Sequence, residues 1–196
     1  ALPIRESTGK SISKLLFSDQ NSSGIRDFVL TGRERHTHAR PDNQGYPARA
    51  IRTSEFLFVK NYKPERWPSG DPVPKNTEND KRNEVKGYKS LFPGYHDIDD
   101  SPSKTFMMDN RGDENQRALF ANAFEKRAME QLYDIKKDPA CIIDLANDLA
   151  YAKIKNDLRK KLDEELSNQG DPRMNGNAIF DSYPRYSAMR NFEGFH

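Results

Sequence analysis

The segment from Gly32 to Arg40 carries the densest set of side chains that could do chemistry. It reads Gly-Arg-Glu-Arg-His-Thr-His-Ala-Arg and follows a stretch that is predicted to be a strand, a position where functional loops are common. Its three arginines could form bidentate bonds with sulfate, phosphate or carboxylate. His36 and His38 could donate protons or bind hydroxyl groups, and Glu34 could accept from hydroxyls or orient a neighbouring arginine. The residue types therefore indicate a candidate binding loop.

Two other interpretations of the same segment stay open at this point. Its charges could form a solvated loop with no ligand, which is the ordinary role of a charge run. Alternatively, His36 and His38 could bind a metal, because residues two apart on a strand point to the same face. The segment offers no third metal ligand nearby.

Composition excludes several classes of protein. The 196 residues include 32 basic and 30 acidic side chains, so the formal net charge is only +2, which argues against a nucleic-acid-binding protein. No apolar run approaches the roughly 18 residues of a membrane span. Only 34% of the residues are hydrophobic, which predicts a thin core with long polar loops. Cys141 is the one cysteine, so no internal disulfide forms, and without a basic neighbour its thiol is predicted to be inert.

The elements that must position this loop can be predicted from periodicity. Strand patterns occupy 26–34, 49–53, 56–61 and 132–135. Helices are predicted over 115–131 and, most clearly, over 147–167. The second helix has an apolar stripe opposite a charged face: Tyr151, Ile154, Leu158, Leu162 and Leu166. We expect an α+β fold, a small antiparallel sheet of about four strands with the long C-terminal helix packed on it, which a Leu158→Asp change should unfold.

Three regions have weaker patterns. A long irregular loop is predicted over 62–114, where Trp67 could stack on a sugar or tether the loop, and Asp97, Asp99 and Asp100 are interpreted as a capping or turn cluster. The N-terminal stretch is amphipathic at Ile12, Leu15 and Leu16. The segment 173–196 is rich in aromatic residues without periodicity and is predicted to be an arm that docks on another surface.

Several stretches, taken in order, resemble one known family. They are 31–62, Lys63-Pro64-Glu65-Arg66-Trp67-Pro68, 97–104, Arg127-Ala128-Met129-Glu130-Gln131-Leu132-Tyr133-Asp134, Lys137-Asp138-Pro139 and Asp144-Leu145-Ala146. Together they resemble the C-terminal part of type I (formylglycine-dependent) sulfatases, in particular the heparan N-sulfatase (N-sulfoglucosamine sulfohydrolase) branch and its bacterial relatives. Gln131 and Asp144 depart mildly from the family pattern.

The resemblance implies the C-terminal subdomain of an alkaline-phosphatase-like sulfatase fold. Residues 1–24 would be the connector from the catalytic domain, 25–172 the subdomain and 173–196 the arm. Cys141 is followed by Ile-Ile-Asp, so it does not match the Cys/Ser-x-Pro-Ser-Arg motif whose first residue becomes formylglycine. The nucleophile and the calcium are therefore expected in a catalytic domain outside this chain, and the chain alone is expected to be inactive.

For the loop, the resemblance implies contact with the substrate through Arg33, Glu34, Arg35, His36 and His38, of which Arg35 and His36 are the foremost candidates. The implied substrate is a glycosaminoglycan-type saccharide with sulfate esters or N-sulfates. The implied partner is the N-terminal catalytic domain of the same protein, with no nucleic acid and no membrane, and with self-association of the isolated chain. The implied location is secreted or periplasmic, or lysosomal in a eukaryote. The alternative function is a non-enzymatic sulfated-glycan-binding or structural module.

Overall fold

The chain folds around a four-stranded antiparallel sheet with the order β1-β2-β3-β4. The computed structural model describes residues 26–37, 39–40, 44–72, 94–176 and 179–182, with positions 11, 13 and 17. The strands are β1 (Val29–Arg33), β2 (Ala48–Arg52), β3 (Phe56–Asn61) and β4 (Glu130–Asp134). The predicted strands are confirmed with shifted ends, and the predicted amphipathic stretch at Ile12, Leu15 and Leu16 lies outside the described residues.

One face of the sheet carries the main core. A row of apolar side chains crosses all four strands at paired positions: Leu30, Ile51, Phe58 and Leu132. Helix α3 (Ala152–Asn168) lies on this row and buries Leu158, Leu162 and Leu166, which repeat every fourth residue. A 3-10 turn, Leu149–Tyr151, leads into the helix. The expected α+β fold, with its long C-terminal helix packed on the sheet, is therefore confirmed.

A second row on the same face is polar. It lies two residues along each strand from the apolar row, and its members are Gly32, Arg49, Lys60 and Glu130. The three charged members pair with the helix or with the turn that follows it. Arg159 binds Glu130, Lys60 Nζ lies 2.7 Å from Asp163 Oδ1, and Arg49 Nε lies 2.6 Å from Asp171 Oδ2. Only glycine stands at the β1 position of this row.

A smaller core lies between two short helices, α1 (Pro102–Asp109) and α2 (Arg117–Phe124). Its buried members are Tyr95, Met108, Phe120 and Phe124. Helix α1 corrects the prediction that 62–114 is irregular throughout. The helix begins there because the Ser101 side chain accepts from Lys104 N (3.2 Å) and Pro102 occupies the first turn. The helix predicted over 115–131 is shorter than expected, and β4 begins within that range.

Two aspartates organise the chain that follows β4, and one of them also bonds to the outer edge of that strand. Asp144 Oδ1 accepts from Leu132 N (3.0 Å) and from Ala146 N (2.9 Å). Asp138 Oδ2 accepts from the N–H groups of Ile142 (2.7 Å) and Ile143 (2.8 Å). Both aspartates therefore have structural roles.

The part of the C-terminal arm that the structure describes contacts this chain's own loops. It contains two 3-10 turns, Pro172–Asn175 and Ile179–Asp181. Asp181 Oδ1 accepts from Gly45 N (3.1 Å), and its carboxylate pairs with Arg66 at 3.3 Å. The rest of the predicted arm lies outside the described residues. Across the described ranges, no helix has both the length and the apolar character of a membrane span.

Candidate functional site

Asp97 organises the candidate loop. Its carboxylate is fully buried and accepts from Arg33 Nη2 (2.9 Å), from Arg40 Nη2 and from the Thr37 backbone N–H (2.8 Å). His36 Nδ1 lies 3.2 Å from the Asp97 backbone oxygen and 3.9 Å from Oδ1. The interpretation of Asp97 as a turn or capping residue therefore misses its main role. Asp97 binds the Thr37 backbone and the guanidiniums of Arg33 and Arg40, in a loop about 60 residues away in sequence.

Three chain segments meet to bring Asp97 to the loop. Backbone N–H groups of Asp71, Tyr95 and Asp97 donate to the carbonyls of Ala39 (3.0 Å), Asp71 (2.8 Å) and Ser69 (3.0 Å), respectively. Gly70 makes this approach possible, because its φ of 93° is unfavourable for other residues and a Cβ there would lie 2.7 Å from Ala39 Cβ. Backbone hydrogen bonds, and not side-chain contacts alone, therefore hold the Asp97 segment against the loop.

Arg40 is the buried member of the Asp97 cluster. Its Nε and Nη2 donate to the carbonyls of Trp67 and Pro68, both at 2.7 Å. Its guanidinium carbon lies 5.7 Å from the centre of the Tyr46 ring. Burial raises the pKa of Tyr46 to about 12. Within the described chain, Arg40 Nη1 and Tyr46 Oη have no hydrogen-bond partner. Asp97 supplies the charge that compensates the buried Arg40 guanidinium.

Arg33 and His36 are the exposed members of the cluster. Their side chains are 46% and 54% exposed, whereas the Arg40 side chain is 1% exposed. One carboxylate thus faces two guanidiniums, and the surplus positive charge lies on Arg33 at the surface. In the part of the chain that the structure describes, Arg33 Nε and Nη1 have no hydrogen-bond partner. These two N–H groups point to different sides of the guanidinium, so each can donate singly to an oxyanion from solvent.

Glu34 belongs to a different network. Its Oε1 accepts from Arg49 Nη2 (2.7 Å), and its carboxylate also binds Arg173. Asp171 completes the network through Arg49. Two carboxylates therefore balance two guanidiniums, and all four side chains are largely buried. Both Glu34 oxygens bind arginines within the chain, so the geometry gives this residue a structural role, and its predicted substrate contact stays a prediction.

The remaining loop residues differ in their environment. Arg35 is half-buried, and its Nη2 donates to the Phe180 carbonyl of the C-terminal arm. His38 lies outside the described residues, so its predicted substrate contact stays a prediction, as does that of Arg35. Among the described positions, no group of three or more His, Cys, Asp or Glu side chains could hold a metal ion. The described residues therefore do not fit a calcium site.

Two other sequence candidates have structural surroundings. Trp67 packs edge-on to Tyr95 at 6.1 Å in the smaller core, with Lys126 Nζ 5.3 Å from its ring centre. It tethers its loop to that core, which was one of the two predicted roles. Cys141 has a φ of 53°, and burial raises its thiol pKa, as expected for an unreactive cysteine.

Asp171 makes the folded state sensitive to acid. Burial raises the pKa of its carboxyl, but hydrogen bonds from Arg49 and from the Arg173 backbone outweigh this and hold the pKa below the usual 3.8. The contribution of Asp171 to stability is therefore complete above that value and disappears as the pH falls through the folded-state pKa. We expect Asp171→Asn to be less stable than the parent chain at neutral pH, with a difference that shrinks below about pH 4.

Chemical denaturation across pH measures this difference. Asp157→Asn is the control, because Asp157 forms an exposed pair with Lys153 and such pairs contribute little. A stability difference for Asp171→Asn that persists undiminished in acid would contradict the assignment.

Comparison with known proteins shows only a limited similarity of this chain to solved structures. No protein-family profile matches this chain, and no curated protein is similar to it. Among solved structures, a 2-O GAG sulfatase matches 100% of this chain and 26% of its own length, with 17% identity and a TM-score of 0.45. A protein of Bacteroides thetaiotaomicron named as a candidate sulfatase matches 97% of this chain and 25% of its own length, with 18% identity and a TM-score of 0.45. The chain spans about a quarter of either structure, and neither likeness assigns it to a family.

Proposed function

We propose that this chain is the C-terminal part of a sulfatase and that its loop contacts the anionic group of a sulfated saccharide. The observation that carries the binding proposal is the Asp97 cluster, in which the exposed side chains of Arg33 and His36 lie near the same carboxylate and one positive charge is in surplus. A sulfate oxygen can accept from a guanidinium and an imidazole at once. The sequence resemblance adds the reaction class, hydrolysis of sulfate esters or N-sulfates.

The chemistry of bond cleavage belongs, in this proposal, to a catalytic domain that is encoded with this chain. That domain would supply formylglycine and calcium, and this chain would close one side of the substrate pocket. The protein would act outside the cytoplasm, in the periplasm or a comparable compartment. The sequence resembles the N-sulfatase branch, so glucosamine N-sulfate is the first substrate to test, with a 2-O-sulfated disaccharide beside it.

Activity assays separate the enzyme from a binding module. Sulfate release from an aryl sulfate and from both saccharides is measured for this chain and for the full-length product of its gene. We expect activity in the full-length protein alone. Saccharide binding by both proteins, without sulfate release from any substrate, would instead favour the non-enzymatic glycan-binding module.

Substitutions in the loop test the contact itself. We expect Arg33→Ala and His36→Ala each to weaken sulfate-dependent binding of N-sulfoglucosamine by about tenfold, because each removes one charge-assisted or polar bond. Arg52→Ala is the matched control, since Arg52 is an exposed arginine on β2 away from the cluster. Isothermal titration measures the affinities, and equal loss in all three variants would contradict a specific contact.

A further inference from the structure

One edge of the sheet is open. From Val29 to Gly32, β1 forms backbone hydrogen bonds with β2 alone among the residues that the structure describes. The opposite edge differs, because Asp144 and Leu145 both bond to the backbone of Leu132 on β4. Alternate residues of an antiparallel edge direct their N–H and C=O groups outward. The outer side of β1 therefore offers backbone donors and acceptors to another strand.

The side chains of β1 leave this edge accessible. The strand reads Val-Leu-Thr-Gly-Arg, and only Leu30 among these five side chains is half-buried. The strand has no proline or lysine, which are residues that commonly block pairing at an edge, and its one charge stands at its end. A groove of about 350 Å³ runs beside Gly32 on the side of α3, so there is also space next to the strand.

The sequence around β1 is complementary to itself in the antiparallel direction. Two copies that pair by twofold symmetry place one residue on the symmetry axis, because opposed side chains must point to the same face of the sheet. When Leu30 is on the axis, it faces Leu30 of the second copy. The other opposed residues then match in charge, size or shape, and they are Asp27 with Arg33, Phe28 with Gly32, and Val29 with Thr31.

The pairing of Asp27 with Arg33 supplies charge complementarity. Asp27 is exposed, and it forms no hydrogen bond or ion pair within the described chain. Arg33 Nη2 binds Asp97, whereas its Nε and Nη1 have no partner in the same ranges. Symmetry repeats the pair, so one carboxylate would meet one guanidinium at each end of the paired strands. Opposite charges in this arrangement stabilise strand pairing.

Other registers lack this match. With Thr31 on the axis, Arg33 would face Val29, and Asp27 would face Arg35, whose guanidinium already donates to the C-terminal arm. With Val29 on the axis, Asp27 would face Thr31 and leave Arg33 unpaired. The register centred on Leu30 also places Phe28 beside Gly32, and an aromatic ring next to an edge glycine covers its bare backbone.

Helix α3 leaves room for a second copy. It packs over β2 and β3, and the twofold axis places the second α3 on the same face of the joined sheet. The two helices would then be four strand spacings apart, which is about 19 Å. A helix with its side chains is about 10–12 Å wide, so the helices do not collide.

We propose that β1 pairs with β1 of a second copy of this chain, antiparallel and centred on Leu30, and joins two four-stranded sheets into one of eight strands. The inference is independent of the proposed function. Asp27 of the second copy takes one of the two free N–H groups of Arg33, and the other stays available to an oxyanion. Because one short strand from each copy forms the contact, the dimer is weak and reversible.

Sedimentation equilibrium measures the association. We expect a monomer of 22.6 kDa in equilibrium with a dimer of twice that mass, with a Kd on the order of 10–100 µM. Asp27→Arg places like charges opposite each other at both ends of the pairing, so the Kd should rise about tenfold. Asp109→Arg is the matched control, because Asp109 is an exposed aspartate at the end of α1 and the change in net charge is the same. Its Kd should stay within about twofold of the parent value.

Cysteine cross-linking tests the register. Directly opposed residues have Cα atoms about 4.5–5.5 Å apart, which suits a disulfide. Val29→Cys and Thr31→Cys, both exposed positions, are each combined with Cys141→Ser and oxidised alone or as a mixture. We expect the mixture to form linked dimers on the order of ten times faster than either variant alone, because Val29 faces Thr31 and neither faces its own copy.

Three results would overturn the inference. They are a monomer at every concentration, a dimer whose Kd does not respond to Asp27→Arg, and a mixture that cross-links no faster than the single variants. A monomer whose β1 amides resist hydrogen exchange would show that another segment of the chain covers the edge. The samples contain no sulfate or saccharide, so the outcome does not depend on the anion contact of the proposed function.

Discussion

The Leu162→Asp variant is expected not to fold. Leu162 is fully buried at the centre of the helix stripe, between Leu158 and Leu166 and against the apolar row of the sheet. Removing a buried leucine side chain costs about 2–5 kcal/mol, and an unpaired buried carboxylate adds several more. The sum approaches the total stability of a typical domain, which is about 5–15 kcal/mol. Leu158→Asp, which the sequence alone singles out, should behave in the same way.

Circular dichroism and thermal melting measure this effect. Asn156→Asp is the matched control, because it places the same side chain on the exposed face of the same helix. A cooperative melting transition for Leu162→Asp at the temperature of the parent chain would show that α3 does not pack on the sheet as described.

The Asp97→Asn variant is expected to lose about 3–5 kcal/mol of stability, because it removes the charge that compensates buried Arg40. The loop should also lose its order, since the same carboxylate holds Arg33 and the Thr37 backbone. Binding of N-sulfoglucosamine should therefore weaken together with stability, although Asp97 itself is buried.

Urea denaturation and hydrogen exchange at Thr37 provide the two readouts. Asp99→Asn makes the same chemical change two residues away at an exposed position, and it should match the parent chain within about 0.5 kcal/mol. Unchanged exchange at Thr37 in Asp97→Asn would contradict the organising role.

The local sequence pattern was sufficient to predict the sheet and helix α3. The stripe at four-residue spacing predicts the face of α3 that is buried, and strand patterns place β1, β2 and β3 within a few residues. Helix α1 was missed because its sequence has little amphipathic pattern. The signal that could have found it is the Ser101-Pro102 pair, which marks a helix start.

The candidate site shows where sequence reasoning ends. The residue types of the loop mark it as a candidate site. They do not show that Arg33 belongs to the Asp97 cluster while Glu34 belongs to the network of Arg49, Asp171 and Arg173. Glu34 and Arg173 are 139 residues apart, and Arg33 and Asp97 are 64 apart. Neighbouring residues of this segment therefore enter two separate networks. The alternation of side chains along a strand is a local signal that Arg33 and Glu34 point to opposite faces, but their partners come from distant segments and leave no local signal.

The polar row of the sheet also removes an ambiguity of register. Because the buried leucines of α3 recur every fourth residue, a helix displaced by one turn would still present leucine to the apolar row. The charges distinguish the two positions. After such a slide Asp163 would face Glu130, where Arg159 stands in the native structure, and Ser167 would face Lys60. An attraction would become a repulsion, and so the row excludes a packing arrangement that hydrophobic contacts alone would allow.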